Sequence, residues 1–280
     1  MKTPRLVAPP GACDTHVHFY DAAAPVATPG APMPGTRTVE EYRVSVQARL
    51  GLSRVVVVQP NAYGDDNRVT LAAIARFNAT GGQARGVAVV RPDVSDAELE
   101  RLTRGGMRAI RIMTLHAGTL GFDVMDAVMA RVHAFGWSAI VQLDGRDLPK
   151  VEAQLARLPG RFVIDHTGKF LEPVAPDHPA FASLLRLVDT GRCWVKLAGP
   201  YETSKVGAPT YADVGRLAKA LAAHAPERLL WASNWPHSTA GTPEPPDEAD
   251  LLDLLLDWLP DERARTQTLV DNPAALYGFP

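Results

Sequence analysis

Asp14-Thr15-His16-Val17-His18 places two imidazoles two residues apart. Side chains two apart on a strand share a face, so His16 and His18 are expected to point the same way. Such a pair can ligate a metal ion or donate hydrogen bonds to a carbonyl oxygen. Two histidines capping a core are the plainer alternative. A third imidazole, His166, stands in Asp165-His166-Thr167-Gly168-Lys169 at the end of another β-rich run. Its alternative is a hydrogen-bonded core histidine. Near the C-terminus, Leu230-Trp231-Ala232-Ser233-Asn234-Trp235-Pro236-His237 puts Asn234 at a strand end and turns the chain outward at Trp235-Pro236. By ligand count, His16, His18 and His166 could hold a single zinc ion.

Something must hold these groups together. β-rich runs are expected at Ala12–Val17, Arg54–Gln59, Gly86–Val90, Ala109–Met113, Ala139–Leu143, Phe162–Asp165, Cys193–Leu197 and Leu229–Ala232. Their continuous apolar character marks parallel strands covered on both faces. Between them, apolar residues recur at helical spacing over Val39–Leu50, Asn67–Asn78, Ser95–Arg104, Asp123–Phe135, Leu148–Leu158, Ala180–Thr190, Tyr211–Ala223 and Asp247–Leu259. A last helix over Asp261–Val270 leads into Asn272-Pro273. Eight alternating units predict one α/β domain over residues 1–280, a closed (β/α)8 TIM barrel; an open doubly wound sheet is the runner-up. The three motifs then lie on the face where such barrels carry chemistry. Two Pro-rich loops, Asp21–Gly35 and Ser238–Pro246, follow strands one and eight. They are expected as pocket walls or as plain linkers.

Composition narrows the partners. The 280 residues carry a formal net charge of −2, with no run of like charge. Nucleic acid and anionic membranes are therefore not expected partners. No Gly-rich phosphate loop is present. The longest apolar runs, such as Val55–Val58, are strand-sized, and residues 1–10 lack the apolar stretch of a secretion signal. Cys13 and Cys193, the two cysteines, read as buried thiols in a reducing compartment, and the expected location is cytoplasmic. A homo-oligomer is left open.

The three motifs in this order, with Val58-Gln59-Pro60-Asn61 and Trp194-Val195-Lys196-Leu197-Ala198-Gly199, resemble the amidohydrolase superfamily. Within it, the chain is most similar to the branch of the 2-pyrone-4,6-dicarboxylate lactonases. Metal-dependent members add a strand-four lysine, a strand-five histidine and a strand-eight Asp to the histidines. Here those positions offer Arg111, Gln142 and Asn234. Arginine cannot ligate and amides are poor zinc ligands, so the resemblance implies a metal-free site with no cofactor. In the lactonases the strand-eight Asp activates water. Asn234 cannot, and its Asn-Trp-Pro-His turn is that of the D-galactarolactone isomerases. Tyr211-Ala212-Asp213-Val214 and Ala222–Arg228 add to that likeness. It implies conversion of a six-membered sugar-acid lactone to the five-membered ring by intramolecular acyl transfer. The histidines would act as oxyanion donors and proton shuttle. The isomerase branch lacks the first histidine of the pair, whereas His16 is present here, which leaves the substrate open.

A carboxylated lactone needs a cation and several hydroxyl partners. Arg111 is the candidate for the carboxylate, with a core ion pair as its alternative; Arg108 faces the other way. Asn61, Gln142, Lys196 and Tyr201 sit at strand ends and could bind hydroxyls. The lactonases carry an arginine after the strand-seven tyrosine; Glu202 stands here, which favours a hydroxylated substrate over a flat dicarboxylate. Asp14 and Asp165 are expected to orient imidazoles or loops. His116 could line the mouth, His133, His178 and His224 read as surface residues, and His237 could support the Asn234 turn. The competing readings are a lactone hydrolase using His237 or Asp144 as base, a single-metal hydrolase or decarboxylase, and a non-enzymatic binding protein.

Overall fold

The structure is a computed structural model that describes residues 1–115, 118–238 and 245–280. His116 and most of the Ser238–Pro246 loop lie outside the described residues. Eight parallel strands pair in chain order: β1 Cys13–Val17, β2 Arg54–Val58, β3 Gln83–Ala88, β4 Met107–Met113, β5 Ser138–Gln142, β6 Phe162–Ile164, β7 Cys193–Leu197 and β8 Leu229–Trp231. The helices α3 Arg68–Ala79, α4 Asp96–Arg104, α5 Phe122–His133, α6 Leu148–Arg157, α7 Pro179–Asp189, α8 Ala212–His224 and α9 Glu248–Trp258 surround them. This is a single (β/α)8 barrel, and the open-sheet alternative falls away.

Closure between β8 and β1 uses more than strand pairing. His18 N–H donates to the Trp235 carbonyl at 2.9 Å, Asn234 N–H to His16 at 3.1 Å, and Thr15 Oγ1 to Trp231 at 2.8 Å. The Asp14 carboxylate, fully buried, accepts from Ser233 N and Oγ, Tyr42 Oη and His16 N. Burial pushes its pKa up to about 6, and these four donors oppose that rise.

Alternation along the strands splits the core. Val56, Val58, Val87, Ala109, Ile140, Val163, Trp194 and Leu230 form one apolar cluster with Leu276, Tyr277 and Phe279 from the chain end. Their strand neighbours Val55, Val57, Ile110, Val141, Ile164 and Val195 join the helices in the larger cluster. The first cluster fills the barrel and floors the polar layer above it. The β1–β2 register shifts between Asp14 and Val17. That irregularity matters because Cys13 belongs to the inner cluster, and strict alternation from it would turn His16 outward.

Most element boundaries fall within two residues of expectation, and three elements differ more. β3 spans Gln83–Ala88, earlier than the expected Gly86–Val90. The first helix is interrupted: α1 Val39–Tyr42 and α2 Ala48–Leu50 flank a wide π turn at Arg43–Gln47. The last one does not stop before Asn272-Pro273: α10 Glu262–Thr266 passes through a π turn, Gln267–Asp271, into α11 Asn272–Tyr277. Proline is tolerated there because it falls in the first turn of the new segment, where its missing N–H costs little.

Candidate active site

Above the apolar floor, the ends of the strands carry a layer of buried charge. Lys196 from β7 has 0% of its side chain exposed, as has Asp165 after β6; its Nζ lies 2.9 Å from Asp165 Oδ1 and 3.0 Å from His16 Nδ1. Burial pulls the lysine down and Asp165 holds it up. Burial alone would raise Asp165, but Lys196, His16 and His166 more than reverse this and take its carboxyl well below the usual range.

The partners fix the protons on the histidine pair. The Val58 carbonyl only accepts, so His18 carries hydrogen on Nδ1, 2.7 Å away. Its Nε2 then accepts from His16 Nε2–H at 3.1 Å, and His16 Nδ1 accepts from the Lys196 ammonium. Both rings are neutral in this chain, in keeping with pKa values lowered by burial first. Lys196 adds to the effect for His16, and Arg111 for His18, which falls to about 3. His166 is likewise held neutral by burial, and its ring centroid lies 5.2 Å from that of His16.

A cleft of about 670 Å³ opens over this layer, lined by His18, Arg111, Gln142, His166, Lys169, Glu202 and Asn234 among others. The loop after β1 contributes Thr28 to Pro32 as one wall, as the Pro-rich segment suggested. His166, Thr167, Gly168 and Lys169 follow one another with φ of 51°, 54°, 86° and 50°. Three of these four are not glycine, and left-handed non-glycine residues are costly and concentrate at functional sites. Here it swings both His166 and Lys169 into the cleft. Lys169 pairs with Glu202. Burial draws the lysine down to about 8, the Asp165 carboxylate works the other way, and Arg111 adds to the fall. Gly199 has φ of 57°, a left-handed conformation that side chains rarely adopt, and it lies directly against His166 and Glu202.

Asn234, also left-handed at φ 60°, donates through Nδ2 to Tyr201 Oη at 2.8 Å and to Glu202 Oε1 at 3.0 Å. Behind it, Tyr201 Oη meets His237 Nδ1 at 2.9 Å, and His237 Nε2 meets Glu248 at 3.0 Å. So His237 supports the Asn234 turn, and both its ring nitrogens are engaged. Asp144, the other candidate base, is paired with Arg146. Arg111 is buried, donates to the Gln59 carbonyl at 3.1 Å, and has no carboxylate in ion-pair contact among the described residues; its Nε is without a partner. The core ion pair weighed for it is not present there.

The expected site residues thus divide. His18, His166, Asn234, Arg111, Asn61 and Gln142 meet at the cleft. His16, Lys196 and Tyr201 do not line it. His16 is sealed beneath His18, so it cannot reach a substrate carbonyl directly. Lys196, one layer below the strand end, is spent on Asp165 and His16 rather than on hydroxyls. Tyr201 stands behind Asn234. Lys169 and the acid–base potential of Glu202 escaped the sequence reading, although both stand within motifs it quoted. Of the surface histidines, His133 is exposed, His178 caps α7 and His224 pairs with Asp189. A second hollow of about 660 Å³ lies on the flank; its Arg68 and Arg76 are already paired with Asp66 and Glu40.

The metal question turns on Lys196. Among the described residues, the group whose ligand atoms lie within 4.8 Å of one another is His16, Asp165 and His166, not the three histidines. Its His16 Nδ1 and Asp165 already face an ammonium at 3.0 and 2.9 Å. A divalent ion there would stand against that fixed positive charge, and the residues fit it poorly.

A parallel barrel with ionisable groups at the C-terminal mouth of its strands defines the class as a barrel enzyme. The chain belongs to the amidohydrolase family, which matches residues 13–279. It is 42% identical to D-galactarolactone isomerase of Agrobacterium fabrum, covering 98% of this chain and 93% of that one. It is 30% identical to a 2-pyrone-4,6-dicarboxylate hydrolase of Comamonas testosteroni, over 98% and 92% of the two chains. A solved Agrobacterium tumefaciens structure superposes with a TM-score of 0.91 at 40% identity, covering 99% of each chain. No helix among the described residues is long and apolar enough to cross a membrane.

Proposed function

We propose that this chain isomerises a carboxylated sugar-acid lactone, converting the six-membered to the five-membered ring by intramolecular acyl transfer, without a metal. The observation that carries the reading is Asn234. It ends β8 as an amide whose Nδ2 is committed to Tyr201 and Glu202, and an amide cannot take a proton from water. Isomerisation does not need water: the attacking hydroxyl belongs to the substrate, and tethering supplies an effective molarity of about 10⁵ M or more. The likeness to an isomerase across nearly the whole chain supports the same reading.

In this reading Arg111, with its free Nε, pairs with the substrate carboxylate. Asn61 and Gln142 hold hydroxyls. Cationic Lys169 and the His166 ring line the same side of the cleft and stabilise the oxyanion as it forms. His16, Lys196 and Asp165 set the ring of His18 from below. The metal-free reading rests on the Lys196 ammonium within the ligand cluster and on Arg111 beside it.

The test is NMR of galactaro-1,5-lactone with enzyme, with and without a chelator. The 1,4-lactone is expected before any free acid, at a rate the chelator leaves unchanged. Free acid as the first product would establish a lactone hydrolase instead, and loss of rate on chelation would establish a metal enzyme.

A further inference from the structure

Ring exchange moves one proton. It leaves the attacking hydroxyl and must reach the ring oxygen that departs. Asn234 can do neither. The shared proton between His16 and His18 is locked in a chain that runs from Lys196 to the Val58 carbonyl, so neither ring has a lone pair to offer. Asp165 is sealed under the layer against Lys196. Tyr201 points away to His237. Asp144 is tied to Arg146 and does not line the cleft. His166 lines the cleft too, but its Nδ1 is buried and its Nε2 faces Glu202 at 3.8 Å as the donor the oxyanion needs, which leaves Glu202, the one carboxylate among the described residues lining the cleft.

Resting on the isomerase reading above, we propose that Glu202 is the catalytic acid–base of the ring exchange. Its carboxylate takes the proton of the attacking hydroxyl while that oxygen bonds to the lactone carbonyl carbon, and the carbonyl π pair moves to oxygen. The tetrahedral oxyanion then collapses, the bond to the old ring oxygen breaks, and the Glu202 carboxyl returns its proton to that oxygen. The residue ends as it began, and no water or co-reactant is consumed.

The surroundings suit this task. Glu202 Oε1 is oriented by the Asn234 amide at 3.0 Å. The Glu248, His237 and Tyr201 relay in turn fixes that amide, because an acceptor-only carboxylate admits its NH₂ and not its oxygen. Oε2 faces Lys169, and His166 Nε2 lies 3.8 Å away. The Asn234 amide and Lys169 hold the carboxylate in place at the cleft. Tethering favours proton transfer from the substrate's own hydroxyl over transfer from water, which lacks the advantage in effective molarity. The same residue can therefore serve isomerisation while hydrolysis stays slow.

Wild-type turnover of the 1,5-lactone by NMR tests the parent reading; the variants test this proposal. Glu202→Gln keeps the size and the hydrogen bond from Asn234 and removes the base. We expect kcat to fall by about 10²–10⁴-fold with KM little changed. In Glu202→Gly, added formate is expected to restore turnover in proportion to its concentration. Unchanged kcat with a raised KM in Glu202→Gln would overturn the proposal and leave Glu202 a hydroxyl ligand. So would a folded Glu202→Gly variant, checked by circular dichroism, that formate does not rescue.

Discussion

Asn234 is held in one orientation by acceptors on both sides. Flipping its amide would set Oδ1 against the Glu202 carboxylate, so Nδ2 stays toward Glu202 and Tyr201. Asn234→Asp reverses this logic. A second carboxylate would sit about 3 Å from Glu202, and two such groups cannot both ionise without strong cost. One proton is then shared between them, Glu202 loses its donor, and a carboxylate able to activate water appears at the strand end. We expect isomerisation to slow by at least about tenfold, and free acid to become a detectable product. An NMR time course that matches wild type would show that neither the amide nor its neighbour controls the product. Arg111 and Gln142 were legible at this scale because parity with Ala109 and Ile140 of the inner cluster points them inward, whereas parity shows only that His16 and His18 share a face and the register shift in β1 decides which. The depths of Lys196 and His16 were not: parity gives direction, and only the barrel shows which rung lies under another. Lys169 and Glu202 come from turns after the strands, where left-handed backbone sends side chains to places that no periodicity encodes.

At the scale of elements, β1 is the weak point of the barrel and also the carrier of the histidines. Its register with β2 slips between Asp14 and Val17, and its other edge is closed largely by loop and side-chain bonds to the β8 end. Asp14 is the clasp, joining β1 to Ser233 and to Tyr42 of α1. Removing it as Asp14→Ala leaves two hydroxyls and two backbone N–H groups buried without that acceptor, each worth about 1 kcal/mol or more. We expect a loss of about 3 kcal/mol or more in a urea titration, with turnover falling as Asn234 and His16 drift apart. A midpoint within error of wild type would mean that the strand ends are held by packing alone. The run Cys193–Leu197, apolar but for Lys196, was readable to the residue, since a strand buried on both faces has little else to be. β3 was read late because Gln83 and Arg85 open it. Arg85 covers the barrel floor with its stem, its guanidinium over the Phe279 ring at 5.0 Å, so a charged residue serves where an apolar one was expected. The helix through Pro273 hid for a similar reason: a π turn re-phases the chain so that proline enters a fresh first turn.

The molecule as a whole stacks an apolar floor, a buried ionic layer and a cleft, and the middle layer ties stability to pH. His16, His18 and His166 all have pKa values lowered in the fold, His18 to about 3 from an ordinary 6.5. As pH falls below 6.5 the unfolded chain binds these protons and the folded one does not, so stability declines with acid. Each such group contributes up to about 1.4 kcal/mol per pH unit. Asp14 acts in the opposite sense: its carboxyl, raised to about 6, takes up a proton in the fold before it does so unfolded. Between about pH 6 and 4 it offsets one of the three histidines. The three histidines outnumber it, so the net effect of acid is still a loss of stability. We therefore expect urea midpoints to fall as pH drops from 6.5 to 5. A His18→Asn variant that still folds should flatten the slope by about half below pH 6, because one of the three neutral rings is gone while Asp14 still offsets another. Midpoints that stay level to pH 5 would mean that the histidines already carry charge at neutral pH. In that case the neutral chain from Lys196 through His16 to His18 would be the wrong protonation of the layer beneath the cleft.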